Sequence, residues 1–391
     1  MSDVLFYLVV LMLPIAAISG YRLGRRGRKS TSSSEGGLSR RYFVGLNYLL
    51  NEQPDKAIDT FVKMLEVDSE TVETHLALGN LFRKRGEVDR AIRLHQNLIA
   101  RPSLSPEVRN LSLLELGLDY MAAGLFDRAE SIFKELRTEP KHKAVSLQQL
   151  MFIYQQTKDW EQAVTVAEQL QSVDHQDHAP EIAHFYCELA EKQIQQGDSK
   201  PAMVSLKRAL QFDPNCIRAN IIRSDIAFNQ GQFKQAIKYY REMIKQNSAF
   251  VPEIIERVAA TYQQLGDTKG YQSFLENSLE SGESPTVVLA YAEILRKQKG
   301  DRVAADFIAQ QLQQKPSLKG LLKLIEMHIE HAQPSARPSL EILFDIVNRS
   351  YQSKAAYRCL NCGFGSKALF WQCPSCKSWS SVKPVVGLEG E

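Results

Sequence analysis

At 391 residues the chain has room for two or three domains, and an apolar share of 44% with 24% charged residues excludes wholesale disorder. Its 48 basic and 45 acidic residues leave a formal net charge of only +3, and no long basic run follows the first thirty residues. That balance argues against nucleic acid as the partner and for protein surfaces, while six cysteines are too few for a disulfide scaffold of this length.

Val4 to Tyr21 is a run of 18 residues without a charge. At about 1.5 Å per residue a helix here spans about 27 Å, enough for a bilayer's hydrocarbon core, and Pro14 permits a kinked span. Arg22, Arg25, Arg26, Arg28 and Lys29 follow directly, whereas only Asp3 is charged before it. The positive-inside rule then keeps the rest of the chain in the cytoplasm. A cleaved signal peptide would carry its basic residues ahead of the apolar run, the reverse of this order. The expectation is a single-pass transmembrane anchor over 1–21, followed by a basic juxtamembrane segment and linker over 22–38. Within that linker, Thr31 to Gly37 reads as a flexible spacer.

From 39 to 350 the sequence repeats. Small residues recur at Ala57, Ala91, Ala129, Ala163, Ala202 and Ala236, and glycines five positions before such sites at Gly86, Gly124, Gly197 and Gly231. Gly266 and Gly300 continue the spacing, which stays near 34 residues. Twelve residues before the first three alanines stand Gly45, Gly79 and Gly117, each followed three residues later by an aromatic: Tyr48, Phe82, Tyr120. Four after the alanine comes a large residue, Phe61, Phe133 or Tyr240. The pattern resembles the tetratricopeptide repeat, a helical hairpin whose small residues let two helices approach and whose aromatics fill the space between hairpins. It departs at His95 and Leu206 in place of the aromatic, Lys158 in place of the turn glycine, and Tyr271 in place of an alanine. About nine hairpins are expected, the last degenerate and interrupted at Gln333-Pro334-Ser335. Such a solenoid presents a concave face of first helices to peptides or partner domains. Its register places Arg83, Lys84, Arg218, Phe228 and Asn229 at exposed first-helix positions, as candidate groove contacts.

Residues 355–380 hold the most specific signal. Cys359, Cys362, Cys373 and Cys376 form C-x2-C-x10-C-x2-C, in which two short turns aim four thiolates at one ion. Gly363 and Pro374 suit such turns. A segment of about 25 residues cannot support its own core, so the metal must supply much of the folding energy. It resembles a rubredoxin-like ribbon, with a middle far shorter than that of the redox rubredoxins, which argues for a structural metal, iron or zinc. Phe364, Phe370, Trp371 and Trp379 are expected to shield the sulfurs and dock the ribbon on the last helices. Residues 381–391 read as a tail. Cys187 and Cys216 read as small buried apolar residues.

No catalytic set emerges. Glu181 and Glu188 are the kind of carboxylate pair that helical faces carry routinely. His175, His178 and His184, and likewise His328 with His331, lack a convincing third ligand, so they read as exposed or capping histidines. No phosphate-binding glycine loop or G-x-S-x-G elbow occurs.

The fold class is therefore all-α: a tetratricopeptide-repeat superhelical solenoid with an N-terminal transmembrane helix and a small C-terminal rubredoxin-like ribbon of four cysteines. This ordered combination resembles the bacterial lipopolysaccharide assembly protein B family over essentially the whole chain. The resemblance implies a non-enzymatic inner-membrane regulator of lipopolysaccharide synthesis, with its bulk facing the cytoplasm. It implies as partners a membrane AAA+ metalloprotease and the deacetylase that commits precursor to lipid A. Lipopolysaccharide transport or synthesis proteins remain open as partners, as does a homodimer, and a passive scaffold is the alternative reading. The four cysteines carry over as ligands of one metal ion.

Overall fold

The computed structural model describes residues 35–391 apart from 52, 68–71, 103, 175 and 282–283. The anchor over 1–21, its basic flank and His175 lie outside the described residues. Among the described residues no helix is long and apolar enough to cross a membrane.

Helices follow one another as hairpins: α1 (Glu35–Leu50) with α2 (Pro54–Val67), α3 (Val72–Lys84) with α4 (Val88–Ile99), and α5 (Pro106–Ala122) with α6 (Phe126–Leu136). Then come α7 (Lys143–Thr157) and α8 (Trp160–Gln171), α9 (Ala179–Gln195) and α10 (Ser199–Phe212), and α11 (Ile217–Asn229) and α12 (Phe233–Gln246). A 3-10 segment (Ser248–Glu253) precedes α13 (Ile255–Leu265) and α14 (Thr268–Ser281); α15 (Pro285–Lys299), α16 (Asp301–Gln314), α17 (Leu318–Glu330) and α18 (Arg337–Ser353) complete the helices. The first helix begins at Glu35, so the end of the expected spacer, Glu35 to Gly37, is helical. Three short strands close the chain: β1 (Tyr357–Cys359), β2 (Gly365–Ser366) and β3 (Val382–Pro384), in the order β2-β1-β3. The described chain divides between Leu150 and Met151 into two compact units.

The repeat residues do what their chemistry suggests. All six repeat alanines are fully buried. The turn glycines adopt left-handed backbone, with φ of 81° at Gly86 and 72° at Gly124 and Gly231. In each of these turns the next residue's N–H reaches a carbonyl five positions back, as Glu87 does to Phe82 and Leu125 to Tyr120, closing the helix end. Lys158 takes the same conformation at φ 58°, with Asp159 bonded to Tyr154, so the turn survives the loss of its glycine.

In the first unit, each early glycine faces the large residue that the repeat places on the second helix. A Cβ on Gly45 would lie 2.6 Å from the Phe61 ring, and one on Gly117 would lie 2.8 Å from Phe133. His95 fills that slot against Gly79. An imidazole brings polar nitrogens into an apolar place, and Asp119 of the next hairpin answers with a carboxylate 2.5 Å from Nδ1. Arg83 in turn bonds Asp119 at 2.7 Å and Glu115 at 2.7 Å, so a polar network ties the second hairpin to the third. Gly79→Ala should therefore cost about 1–3 kcal/mol by overpacking against an immobile ring. Gly86→Ala meets open space and should cost about 1 kcal/mol through its backbone conformation alone. Thermal unfolding of the two variants checks both.

In the second unit the cores run from hairpin to hairpin. Ala183, Cys187, Ala202, Leu206, Cys216 and Ile222 join the fifth to the sixth. Tyr240, Met243, Phe250, Val258, Leu275 and Val287 carry the core across the 3-10 segment into the eighth. Cys187 and Cys216, far apart in sequence, lie in contact with their sulfurs 3.8 Å apart. The last helix, α18, buries no residue fully.

Candidate metal centre and its seat

The ribbon is two matching turns hung on a small sheet. In the first, Gly363 N donates to Cys359 O at 3.0 Å and Cys359 N to Phe364 O at 2.8 Å. In the second, Lys377 N donates to Cys373 O and Cys373 N to Ser378 O, both at 2.9 Å. Gly363 and Lys377 occupy the same left-handed corner, at φ 78° and 60°. β1 pairs antiparallel with β3, setting Cys359 opposite Val382, and these two with Cys373 form the ribbon's small buried core.

These turns bring the four sulfurs together. Cys359 and Cys376 lie 3.7 Å apart, as do Cys362 and Cys373, and all four ligand atoms fall within 4.8 Å of one another. A tetrahedron with metal–sulfur bonds of about 2.3 Å has edges of about 3.8 Å, so the set fits one tetrahedral ion. Polar side chains surround the sulfurs. Asn361 Nδ2 reaches across to Cys376 Sγ at 3.5 Å, and the hydroxyls of Ser381 and Ser378 stand 3.3 Å from Cys359 Sγ and 3.4 Å from Cys376 Sγ. The Ser378 hydroxyl and backbone N–H pull the Cys376 thiol down to about 5, whereas burial pushes Cys373 up to about 11. A metal would hold all four as thiolates.

The ribbon is seated on the first helices of the fourth to sixth hairpins and on the 3-10 segment. Trp379 stacks on His184 of α9 with centroids 5.0 Å apart, and meets Phe185 edge-on at 5.8 Å. Trp371 lies parallel to Phe250 at 6.1 Å, with the Arg218 guanidinium 6.0 Å from its ring. Gln155 Oε1 of α7 accepts from Trp379 Nε1 and Gln372 Nε2, both at 3.2 Å. Tyr357 donates its hydroxyl proton to Glu253, and Lys383 sits 5.1 Å from the Phe250 ring centroid. His184 Nε2 bonds Ser380 Oγ at 2.6 Å while Nδ1 has no partner. Burial first, then the charges of Arg218 and Lys383, push the His184 pKa down to about 3, so the seat holds a neutral imidazole.

Several expectations change here. The ribbon docks on the middle hairpins, not the last helices, because the aromatic and polar partners for both tryptophans stand on α7, α9, α11 and the 3-10 segment. Phe370 stays 39% exposed, whereas Phe364 packs in the ribbon's own core. Arg218 is only 4% exposed: it bonds Glu188 at 2.8 Å and Glu191 at 2.9 Å under the ribbon, so it is no open groove position. Arg83 is half-buried in its inter-hairpin network, and Phe228 packs on the core beside Phe233. Lys84 and Asn229 remain exposed. His184 is a buried contact, neither exposed nor capping, whereas His178 stands at the N-cap position of α9 with its ring buried against Asp174 at 2.9 Å. Gln155, Phe250 and Glu253 belong to the seat and went unmarked in the sequence.

A second cluster, Asp301, Glu330 and His331, lies within ligand reach. Arg296 already bridges Asp301 and Glu330 at 2.7 Å each, and His331 bonds Asp301 at 2.8 Å. Its carboxylates are already engaged by these partners, and it reads as an ion-pair network joining α15, α16 and α17. His328 bonds the Leu324 carbonyl of its own helix.

A family model described as the rubredoxin metal binding domain matches residues 357–384, and two described as tetratricopeptide repeats match 74–107 and 217–250. Among solved structures, the C-terminal part of a TPR repeat-containing protein from Cytophaga hutchinsonii is 14% identical, with a TM-score of 0.41, covering 62% of this chain and 96% of that one. Lipopolysaccharide assembly protein B of Escherichia coli K12 is 42% identical over 385 residues, covering 98% of this chain and 99% of that protein. The protein of the same name from Haemophilus influenzae Rd is 37% identical over 393 residues, with the same coverage. The repeats and that name describe a scaffold or adaptor type of protein rather than an enzyme. With its hairpin stack, its four-cysteine ribbon and this full-length likeness, the chain belongs to the lipopolysaccharide assembly protein B family.

Proposed function

We infer that this chain serves lipopolysaccharide assembly as an inner-membrane adaptor that promotes degradation of the lipid A-committing deacetylase by a membrane AAA+ metalloprotease. The observation that carries the reading is the grip of the hairpin stack on its own ribbon. First helices of three successive hairpins, with the 3-10 segment, hold a folded module through stacked rings, a guanidinium against a ring and side-chain hydrogen bonds. This is the surface chemistry by which an adaptor holds another polypeptide. The apolar run at 4–21 with its basic flank supports a single-pass tether with the bulk in the cytoplasm. Tethering raises the effective concentration of adaptor and client to about the millimolar range, so modest contacts suffice. The ribbon's metal, zinc or iron, acts structurally in this reading.

Depletion of the protein should lengthen the deacetylase half-life in a pulse-chase measurement. An unchanged half-life, with lipopolysaccharide synthesis enzymes co-purifying, would instead establish the passive scaffold. Deleting residues 1–21 should leave a folded chain that restores turnover poorly at native expression. Full complementation by that truncation would remove the tether from the mechanism.

A further inference from the structure

Of the expected tail over 381–391, Val382–Pro384 form β3 of the ribbon, and the segment 385–391 is held in a built site on the eighth and ninth hairpins. The Glu391 carboxylate sits at the start of α15. One oxygen accepts from Ser284 Oγ at 2.8 Å and from Thr286 N at 3.2 Å. The other accepts from Thr286 Oγ1 at 2.6 Å and from Lys319 Nζ of α17 at 2.5 Å. Two hydroxyls, a helix N-terminal N–H and an ammonium thus converge on one carboxylate, an arrangement that charge assistance makes strong. Burial works against this charge, yet Lys319 and the hydroxyls hold the Glu391 pKa below the usual carboxylate range. Leu318 N donates to Leu388 O at 2.9 Å, and Lys354 pairs with Glu389 at 2.7 Å.

Beside this carboxylate lies a cavity of about 330 Å³ lined by Pro285, Val288, Ile308, Leu312, Pro316 and Val386. The segment does not fill it: Val386 is 71% exposed and Leu388 53% exposed. The chain's own occupant therefore satisfies a charged subsite and adds only the largely exposed Val386 to the wall of the neighbouring apolar one.

We propose that this is a peptide-acceptor site for an extended segment of a protein partner that carries a carboxylate and a bulky apolar side chain a few residues away, and that residues 385–391 occupy it in cis. The cis segment acts at an effective concentration of about millimolar, so a carboxylate alone does not displace it. A partner that also buries a leucine- or phenylalanine-sized side chain gains roughly ten- to hundredfold in affinity and can compete. The site uses none of the surface under the ribbon and stands independently of the adaptor reading.

The test uses the full chain and a fluorescent peptide copying Pro384–Glu391. The peptide should bind the Glu391→Ala chain at least about tenfold more tightly than the unaltered chain, because the cis occupant no longer competes. Adding Lys319→Ala, or replacing the peptide's last glutamate by glutamine, should abolish that gain. Among peptides with phenylalanine placed at successive positions, at least one should bind about tenfold more tightly than the parent and displace the segment from the unaltered chain. Should Glu391→Ala unfold the last hairpins, the isosteric Glu391→Gln serves as host with the same expectations. No binding to a folded host, or binding indifferent to Lys319, overturns the carboxylate subsite. A flat phenylalanine series overturns the apolar one.

Discussion

Replacing Cys359 or Cys373 by serine should unfold the ribbon and uncover the first-helix face beneath it, while the hairpins keep their helix content. The ribbon has two strands of three residues and one of two, and its buried core is Cys359, Cys373 and Val382. So little apolar burial cannot offset the conformational entropy of about 25 ordered residues. One ion in the tetrahedral four-cysteine site would supply the difference, since structural metal binding of this kind is worth about 10–16 kcal/mol near neutral pH. Losing a ligand leaves the rings of Trp371 and Trp379 on a chain that no longer positions them, and their contacts on α9, α11 and the 3-10 segment go with them. Hydrogen exchange should rise sharply over 357–384 and modestly over α9 and α11, with bound metal falling to zero by native mass spectrometry. A serine variant that holds no metal yet keeps the ribbon protected would show that the seat alone folds it.

Much of this architecture is legible because its causes are local. A fully buried alanine, a glycine against a ring and a glycine turn recur at fixed offsets, since each hairpin repeats the same packing problem. His95 shows the limit of the pattern and its logic. It breaks the aromatic position, and Asp119 appears a hairpin later to bond its Nδ1. Lys158 likewise keeps a turn conformation that glycine usually marks. The two Cys-x-x-Cys turns are equally local, and their sulfurs meet as the spacing implies.

What covers a surface is not local. Repeat register places Arg218 on the first-helix face correctly, and it is silent about the ribbon lying on that face. His184 and Ser380 are 196 residues apart, with no period connecting them. Glu391 looks like the end of a polar tail, yet its partners Ser284, Thr286 and Lys319 sit more than seventy residues earlier. In each case a residue's face is written in the repeat, and its occupant depends on a module folded elsewhere.

The seat should also weaken steeply in acid, through His184. This ring is 2% exposed, stacked on Trp379, with Arg218 of α11 and Lys383 of β3 facing it. Its pKa is about 3 in the folded chain against 6.5 for the ordinary side chain. Once undocked, the imidazole takes up a proton below 6.5, whereas the seated ring does not. The unfolded or undocked state therefore binds more protons in this window, and stability is lost as pH falls from 6.5 towards 3. The slope is about 1.4 kcal/mol per pH unit, which makes about 1.4 kcal/mol at pH 5.5 and roughly 5 kcal/mol across the whole window. Above 6.5 the group contributes no pH dependence. Acid also protonates the cysteine ligands, so bound metal must be followed in parallel and the comparison confined to pH values where it is retained. His184→Gln keeps a donor for Ser380 and cannot titrate. Its ribbon should start less firmly seated at neutral pH, and its docking, followed by tryptophan fluorescence and hydrogen exchange, should be nearly flat from 6.5 down to the point of metal release. If the glutamine variant loses its ribbon with the same slope as the native chain, the titrating group is not His184, and the buried neutral imidazole is not what makes this seat sensitive to acid.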